Sequence, residues 1–225
     1  MNAFEYTDLG RIGYAEALEM QTAAFEALLQ TRQTGEAGTN HLFFCEHQPV
    51  LTLGKSGKET NLLVSEAFLS SKGITLFHTN RGGDITYHGP GQITAYPVFN
   101  LEYWKLGLRQ YIYVLEEIVI RFLSCYGITG QRLEGATGVW IDASTKRACK
   151  ICAIGVRSSR FVTMHGLALN INTDLTGFSL INPCGFIDKG VTSLEKELGA
   201  VQDFAEAKKR LHALFTDYFP PQAGE

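Results

Sequence analysis

The chain has 225 residues, 45% hydrophobic and 19% charged, enough to bury one large core, and no Pro/Ser/Gly-rich linker or internal repeat divides it. A formal net charge of -3 argues against nucleic acid as the main ligand, because neutralising phosphates needs a basic footprint. The acidic start MNAFEYTDLG is unlike a secretory signal and no stretch reaches the apolar length of a membrane span, so one cytoplasmic domain over 1–225, probing no membrane and keeping its 5 cysteines reduced, is expected.

In chain order, residues 14–30 set Tyr14, Leu18, Phe25, Leu28 and Leu29 on one face, with Glu16, Glu19 and Glu26 elsewhere. That spacing predicts an amphipathic helix ending near Gly35. HLFFCEH and PVLTLG predict two strands hinged at Gln48 and Pro49, with Cys45 in the core. Gly54-Lys55-Ser56 is like the end of a Walker A loop, but Pro49 stands where the first glycine belongs, and an ATP site there is rejected. A short helix is expected over 61–72. Residues 109–126, with Ile112, Leu115, Val119, Phe122 and Leu123 at helical spacing, predict a longer one that stops at Gly127 and ends in a structural Cys125.

From 129 to 173 the pattern becomes a meander of β-hairpins: GVWID, KICAIGV and FVTMHGLALNIN. Cys149 and Cys152 have the spacing of a redox pair, but they sit in a predicted strand, away from any helix N-terminus that would lower a thiol pKa. Neither redox nor metal use is assigned to them, and no other pair has ligand spacing. Thr192-x-x-Glu195 predicts a capping box. Asp203-x-x-Glu206 predicts the start of a last helix with Phe204, Ala207, Leu211, Leu214, Phe215 and Tyr218 on its inner face, stopped by Pro220-Pro221. The fold class is α+β, a mixed β-sheet with packed helices.

The stretch NRGGDITYHGPGQITAYPVFNL at 80–101 organises the chain. Its flanks, ITLFHTN and QITAYPVFNL, are rich in β-branched and aromatic residues and predict strands. Between them Gly82-Gly83 and Gly89-Pro90-Gly91 allow close backbone approach and positive φ. A glycine-punctuated hairpin is the plainer reading, but Arg81, Asp84, Thr86, Tyr87 and His88 interleave with the glycines, which points to a ligand-binding loop. It fits neither phosphate-binding fingerprint. Cys184, between Pro183 and Gly185 in a predicted loop, offers a thiol that can be approached. Residues 143–160 hold Lys146, Arg147, Lys150, Arg157 and Arg160 and no acid, either a surface that steers an acidic protein partner or a solvated hairpin.

Five segments, RGGDITYHGPGQ (81–92), KICAIG (150–155), VTMHGLALNINTDL (162–175), NPCG (182–185) and GVTSL (190–194), resemble in order and spacing the lipoyl(octanoyl) transferases, the octanoyl-[acyl carrier protein]:protein N-octanoyltransferase family. The likeness runs from about Leu42 to Leu198. It implies a biotin/lipoate protein ligase-like fold and the first step of endogenous protein lipoylation. In that family an octanoyl group passes from the phosphopantetheine thioester of an acyl carrier protein to a lysine on a lipoyl domain. The acceptors implied are lipoyl domains of 2-oxoacid dehydrogenase complexes and the glycine cleavage H protein.

Carried over by position, Cys184 is the acyl-thioester nucleophile and Lys150 its activating partner. Arg81, Gly82, Gly83, Asp84, Ile85, Thr86, Tyr87 and His88, with Ala153, Ile154 and Gly155 and with Gly166, Leu167 and Ala168, line the acyl and substrate pocket by the same likeness. Asp84 departs from a glutamine common in relatives and Cys152 from a small residue, and 143–149 is somewhat extended, which leaves the use of Asp84 less defined. No cofactor or metal is implied, and a compact enzyme with two protein substrates suggests a monomer.

The residues themselves carry that chemistry. A free thiol of pKa near 8.5 is only about 3% thiolate at pH 7, so Cys184 gains from a neighbouring cation. Exchange of one thioester for another is nearly balanced and needs alignment more than driving force. An acceptor lysine is neutral in only about 0.04% of molecules at pH 7, so a base must take its proton as it attacks, and Lys150 is the natural candidate. Both roles require Lys150 near Cys184 in space.

His88 and His165 are rival bases, each with a structural reading beside it, and amides around Gly82-Gly83 or Cys184-Gly185 are candidates for the oxyanion. Tyr87, Ile154, Leu167 and Ala168 suit an apolar acyl slot or ordinary core. The alternatives are an ATP-dependent lipoate/biotin-protein ligase, which needs a nucleotide site and no cysteine nucleophile, a non-catalytic acyl- or lipoyl-domain-binding protein, and a cysteine hydrolase.

Overall fold

A computed structural model describes residues 3–182 and 189–222. The elements in order are β1 (Glu5–Ile12), α1 (Tyr14–Thr34), β2 (His41–His47), β3 (Val50–Leu53), α2 (Glu66–Ser71), β4 (Thr75–His78), β5 (Ile85–His88), β6 (Gln92–Val98), α3 (Leu108–Ser124), β7 (Gln131–Leu133), β8 (Ala136–Ile141), β9 (Cys149–Ser159), β10 (Val162–Asn170), β11 (Gly190–Val191), α4 (Leu194–Leu198) and α5 (Phe204–Tyr218). A large mixed sheet runs β1-β2-β6-β10-β9-β8-β7, with β11 added beside β9, and a small sheet runs β4-β3-β5. No helix among the described residues is long and apolar enough to cross a membrane.

The two faces of the large sheet follow from the period of two along its strands. Leu42, Phe44, Ile93, Ala95, Leu167 and Leu169 pack with the buried faces of α3 and α5. The alternate residues Phe43, Cys45, Tyr96, Val98 and Met164 pack with Ala17, Phe25 and Leu28 of α1. Helix α3 buries Tyr111, Leu115, Ile118, Val119, Phe122 and Leu123, a stripe at helical spacing, and each such side chain stabilises by about 1.5–3 kcal/mol. The small sheet closes over Leu51, Leu53, Ile85, Tyr87, Leu69 of α2 and Ile181.

The expected mixed sheet with packed helices is found. Helix α1 ends in Gly35 at φ 77, a left-handed cap that returns its N–H to Thr31 O. Asp203 caps α5 through the Glu206 N–H, as read from the sequence.

Several local expectations are corrected. Strand β1, for which no element was expected, pairs parallel with β2 and lacks the alternation that would have marked it. The expected helix over 61–72 is a 3-10 turn at Glu59–Asn61 followed by α2, whose N-cap is Ser65. The glycine stretch contains a strand, β5, antiparallel to β3. Ser193, one residue past the expected Thr192, caps α4, and Thr192 bonds Glu197 instead.

The basic run at 143–160 does not form one patch. Lys146 and Arg147 precede the 11-residue β9 and Arg160 follows it, about 35 Å away at strand rise. Lys150 is buried and Arg157 lies over the Phe25 ring at 4.9 Å.

Candidate active site

The small sheet folds onto the α1-side face of the large one and leaves a cavity of about 680 Å³, within the usual range for a small-molecule site. Close backbone approach makes this packing possible, and it explains glycines on both sides. A Cβ on Gly155 would lie 2.7 Å from Gly82 O, and one on Gly166 would lie 2.2 Å from Ala95 O. The Gly82 N–H donates to Val156 O at 3.0 Å, tying the loop to β9.

Arg81 locks that loop. The residue is 8% exposed, and its guanidinium donates to Thr52 O at 2.6 Å, to Thr52 Oγ1 at 2.8 Å and to Gly82 O at 3.0 Å. Asp84 accepts from Ile85 N at 2.7 Å, Lys58 N at 3.2 Å and Asn61 Nδ2 at 2.5 Å, which binds the 58–61 turn to the cavity rim. The N–H groups of Gly54, Lys55 and Ser56 donate to the carbonyls of Asp84, Arg81 and Gly83. Amides so occupied are not offered to a phosphate, and the Walker-like triplet is a structural turn.

One stretch of the wall, formed by His88, Gln92, Asn170 and His165, is polar without carrying charge. His88 Nδ1 donates to Gln92 Oε1 at 2.8 Å, and Gln92 Nε2 donates to Asn170 Oδ1 at 2.9 Å. Burial, with His47, Arg81 and His165 nearby, holds the His88 imidazole down to about 3. His165 is also lowered to about 3, by burial first and then by Arg81 and Arg157. Its Nε2 meets Asn80 Oδ1 at 2.9 Å while its Nδ1 has no hydrogen-bond partner, and its φ of 58 is left-handed for a non-glycine residue. Gln21 on α1 secures that conformation by accepting the His165 N–H at 3.0 Å. Imidazoles with so low a proton affinity are poor general bases at neutral pH, which favours their structural reading.

Lys150 enters the cavity from β9, only 9% exposed. Its Nζ donates to Thr137 O at 3.1 Å and lies 4.7 Å from the Trp140 ring centroid. Strand β11 runs parallel to β9 on the side away from β8, with Val191 opposite Lys150, and Thr192 N donates to Lys150 O at 3.0 Å. On the N-terminal side of residues 183–188, Asn182 N donates to Asn61 O at 2.8 Å. Asn61, Lys150 and Val191 all line the cavity. Cys184, Pro183 and Gly185 lie outside the described residues, so the expected Lys150–Cys184 contact does too.

Of the pocket residues expected from the sequence, Arg81, Gly83, Asp84, Ile85, Thr86, His88, Ala153, Ile154, Gly155, Gly166, Leu167 and Ala168 border the cavity. Two do not. Tyr87 points into the small-sheet core and meets Phe178 at 5.4 Å, because alternation on β5 turns it away from Thr86 and His88. Gly82 lies behind Arg81, and its N–H, one of the amides expected to serve an oxyanion, already serves Val156 O. Gly91, at φ 78, abuts backbone and not a ligand: a Cβ there would meet Asn172 O at 2.3 Å.

Sequence reasoning missed Asn61, Thr94, Gln92, Asn170 and Thr137, all cavity-lining. For Thr94 and Asn170 a signal existed: each is a polar residue in a strand that is mostly apolar. Among the described residues no cluster of three His, Cys, Asp or Glu could hold a metal ion, and Cys45, Cys125, Cys149 and Cys152 are free thiols. Burial raises the Cys45, Cys149 and Cys152 thiols above their ordinary range.

The model of the lipoyl protein ligase A/B catalytic domain matches residues 14–216. An octanoyltransferase of Parabacteroides distasonis is 67% identical over 220 residues, 97% of this chain and 100% of that protein. Among solved structures, a lipoate-protein ligase A bound with ATP superposes at TM-score 0.71 and 16% identity over 97% of this chain and 85% of its own. The biotin protein ligase of Aquifex aeolicus, with biotin and ATP, superposes at 0.56 and 12% identity over 96% and 70%. These two likenesses establish the biotin/lipoate ligase-like fold, whereas sequence identity along the whole chain establishes kinship: the chain belongs to the lipoyl protein ligase A/B catalytic domain family, with the octanoyltransferases.

Proposed function

We propose that this enzyme moves an octanoyl group from the phosphopantetheine thioester of an acyl carrier protein to a lysine of lipoyl domains, through a thioester on Cys184. The observation that carries the reading is the placement of Lys150, whose amine reaches a cavity of about 680 Å³ beside β11. Supporting it, the described residues on both sides of 183–188 are anchored at that cavity, Asn182 to Asn61 and Val191 opposite Lys150. The acceptors are lipoyl domains of 2-oxoacid dehydrogenase complexes and the glycine cleavage H protein, met in the cytoplasm. The octanoyl group arrives on the carrier's own phosphopantetheine, and the transfer needs no cofactor of the enzyme.

In the first half, the Cys184 thiolate attacks the carrier thioester carbonyl, the new C–S bond forms, and the phosphopantetheine thiolate leaves and takes a proton. The Lys150 cation favours the attacking thiolate electrostatically. In the second half, the acceptor amine attacks the acyl-enzyme, the C–S bond breaks, and the Lys150 amine, having given its own proton to the departing thiolate, takes one from the new amide nitrogen. Thr94, Tyr96, Ile154, Leu167 and Ala168 supply an uncharged wall for the acyl chain.

The ATP-dependent reading finds no support in the Gly54–Ser56 amides, which are paired with protein carbonyls. The test is to incubate the protein with octanoyl-carrier protein without ATP and read the intact mass. The expected adduct is absent in Cys184→Ala and discharged by a lipoyl domain. No adduct on the wild-type protein overturns the reading, and discharge to water alone makes the protein a hydrolase.

A further inference from the structure

Glu116 is a buried carboxylate that the transfer chemistry above leaves unused. It faces the sheet from α3, 8% exposed. Its Oε1 accepts the Gly138 N–H at 3.0 Å and its Oε2 accepts Arg132 Nε at 3.0 Å. Arg132 is itself seated, donating to Glu117 Oε2 and Tyr113 O, each at 3.0 Å, with its guanidinium 3.7 Å from the Tyr113 ring centroid.

Gly138 stands at an irregularity in the ladder. Val139 pairs with Cys152 but Trp140 pairs with Lys150, so β9 carries one extra residue, Ile151, at this point. Gly138 adopts φ 121, and a Cβ there would lie 2.4 Å from Cys152 O and 3.5 Å from Lys150 Cε. Strand β8 is therefore pressed against the Lys150 stem. With the pairing interrupted, Glu116 takes the Gly138 N–H, and the carbonyl one residue earlier, Thr137 O, receives Lys150 Nζ at 3.1 Å. One carboxylate thus fixes the peptide on one side of Thr137, and the amine is set by that peptide.

We propose that Glu116, seated by Arg132, is a positioning residue for Lys150: by holding the Gly138 N–H it fixes the Thr137 carbonyl that aims the amine into the acyl cavity. The inference rests on the proposed role of Lys150 in transfer. What Glu116 supplies is reach and an acceptor atom. Glutamine keeps that reach and one acceptor oxygen for the Gly138 N–H but turns its NH2 group toward Arg132, so it retains the aim while losing the seat, and an aspartate, one methylene shorter, reaches neither partner.

The experiment compares Glu116→Gln, Glu116→Asp and Lys150→Met in the full chain. It measures kcat and KM with octanoyl-carrier protein, the melting temperature, and the labelling of Lys150 by acetic anhydride relative to the exposed Lys146, read by peptide mass. E116D is expected to lose about tenfold in kcat, a misplacement effect, with KM within about twofold. Its relative Lys150 labelling changes, while E116Q, which keeps the Gly138 bond and loses the Arg132 seat, falls between wild type and E116D in both readouts. The proposal is overturned by an E116D enzyme equal to wild type in kcat and labelling, by an E116Q enzyme more impaired than E116D, or by a fall in melting temperature with kcat and labelling unmoved. Full activity in K150M would instead remove the transfer role of Lys150, and the labelling comparison would still decide whether Glu116 holds the amine.

Discussion

Acidification should destabilise this protein through its buried histidines, well before its carboxylates titrate. His88 and His165 are held down to about 3 in the fold, chiefly by burial, against 6.5 when unfolded. A base with a depressed folded pKa leaves the unfolded chain binding more protons between the two values. Stability is therefore complete above about pH 6.5 and is lost as pH falls from there toward about 3.

For one such group the loss at pH 5.5 is on the order of 1 kcal/mol, so the two together remove roughly 2–3 kcal/mol. His47, lowered by burial in the same cluster, adds to this in the same direction. Against a usual total of about 5–15 kcal/mol the effect is large. Urea unfolding at pH 7.5 and 5.5 measures it, in a window where most carboxylates stay ionised. In His165→Asn the pH-dependent part should shrink by roughly half, whatever the variant does to stability at pH 7.5. A wild-type loss under about 1 kcal/mol between these pH values would show that protons enter the folded cavity freely, and the neutral wall inferred for an octanoyl chain would go with it.

Three further outcomes follow from the geometry. Arg81→Lys cannot reproduce the planar fork on Thr52 and Gly82, and should lower stability by about 2–3 kcal/mol in denaturant and raise KM for the carrier; an unchanged unfolding midpoint would contradict the role given to that guanidinium. Gly166→Ala drives a Cβ to 2.2 Å from Ala95 O, a backbone atom, and should cost about 3 kcal/mol or more through overpacking between β10 and β6. Gly135→Ala, with open space around it but φ 74, should cost only about 1–2 kcal/mol of left-handed strain, so equal or reversed losses would refute the close-approach account. Asp84→Ala releases the Lys58 amide and Asn61, and faster hydrogen exchange at Lys58 with the core unchanged is the expected signature.

Much of the site was readable because its residue types are costly elsewhere. Gly82-Gly83 with Arg81 and Asp84 in one loop, and Gly155 and Gly166 in strands, mark places where backbone must approach backbone. Tyr87 shows the limit of such reading: it sits between Thr86 and His88 in the sequence, yet strand alternation sends it to the opposite core. The basic run at 143–160 shows another, since adjacency in sequence along an 11-residue strand is separation in space.

Local chemistry by itself determined the helices α1, α3 and α5 and the hairpin meander of β7 to β10, because these depend on spacing within one element, whereas the pairing of the Lys150 amine with the Cys184 thiol came from resemblance to a family. Tertiary structure decided that β1 joins β2, that β3 and β6 belong to different sheets, and that Thr94, Asn170 and Asn61 meet at one cavity. It also decided that Glu116 on α3 reaches across to Gly138. Such contacts are set by how sheets and helices stack, and no periodicity along the chain encodes which distant backbone group a side chain will find.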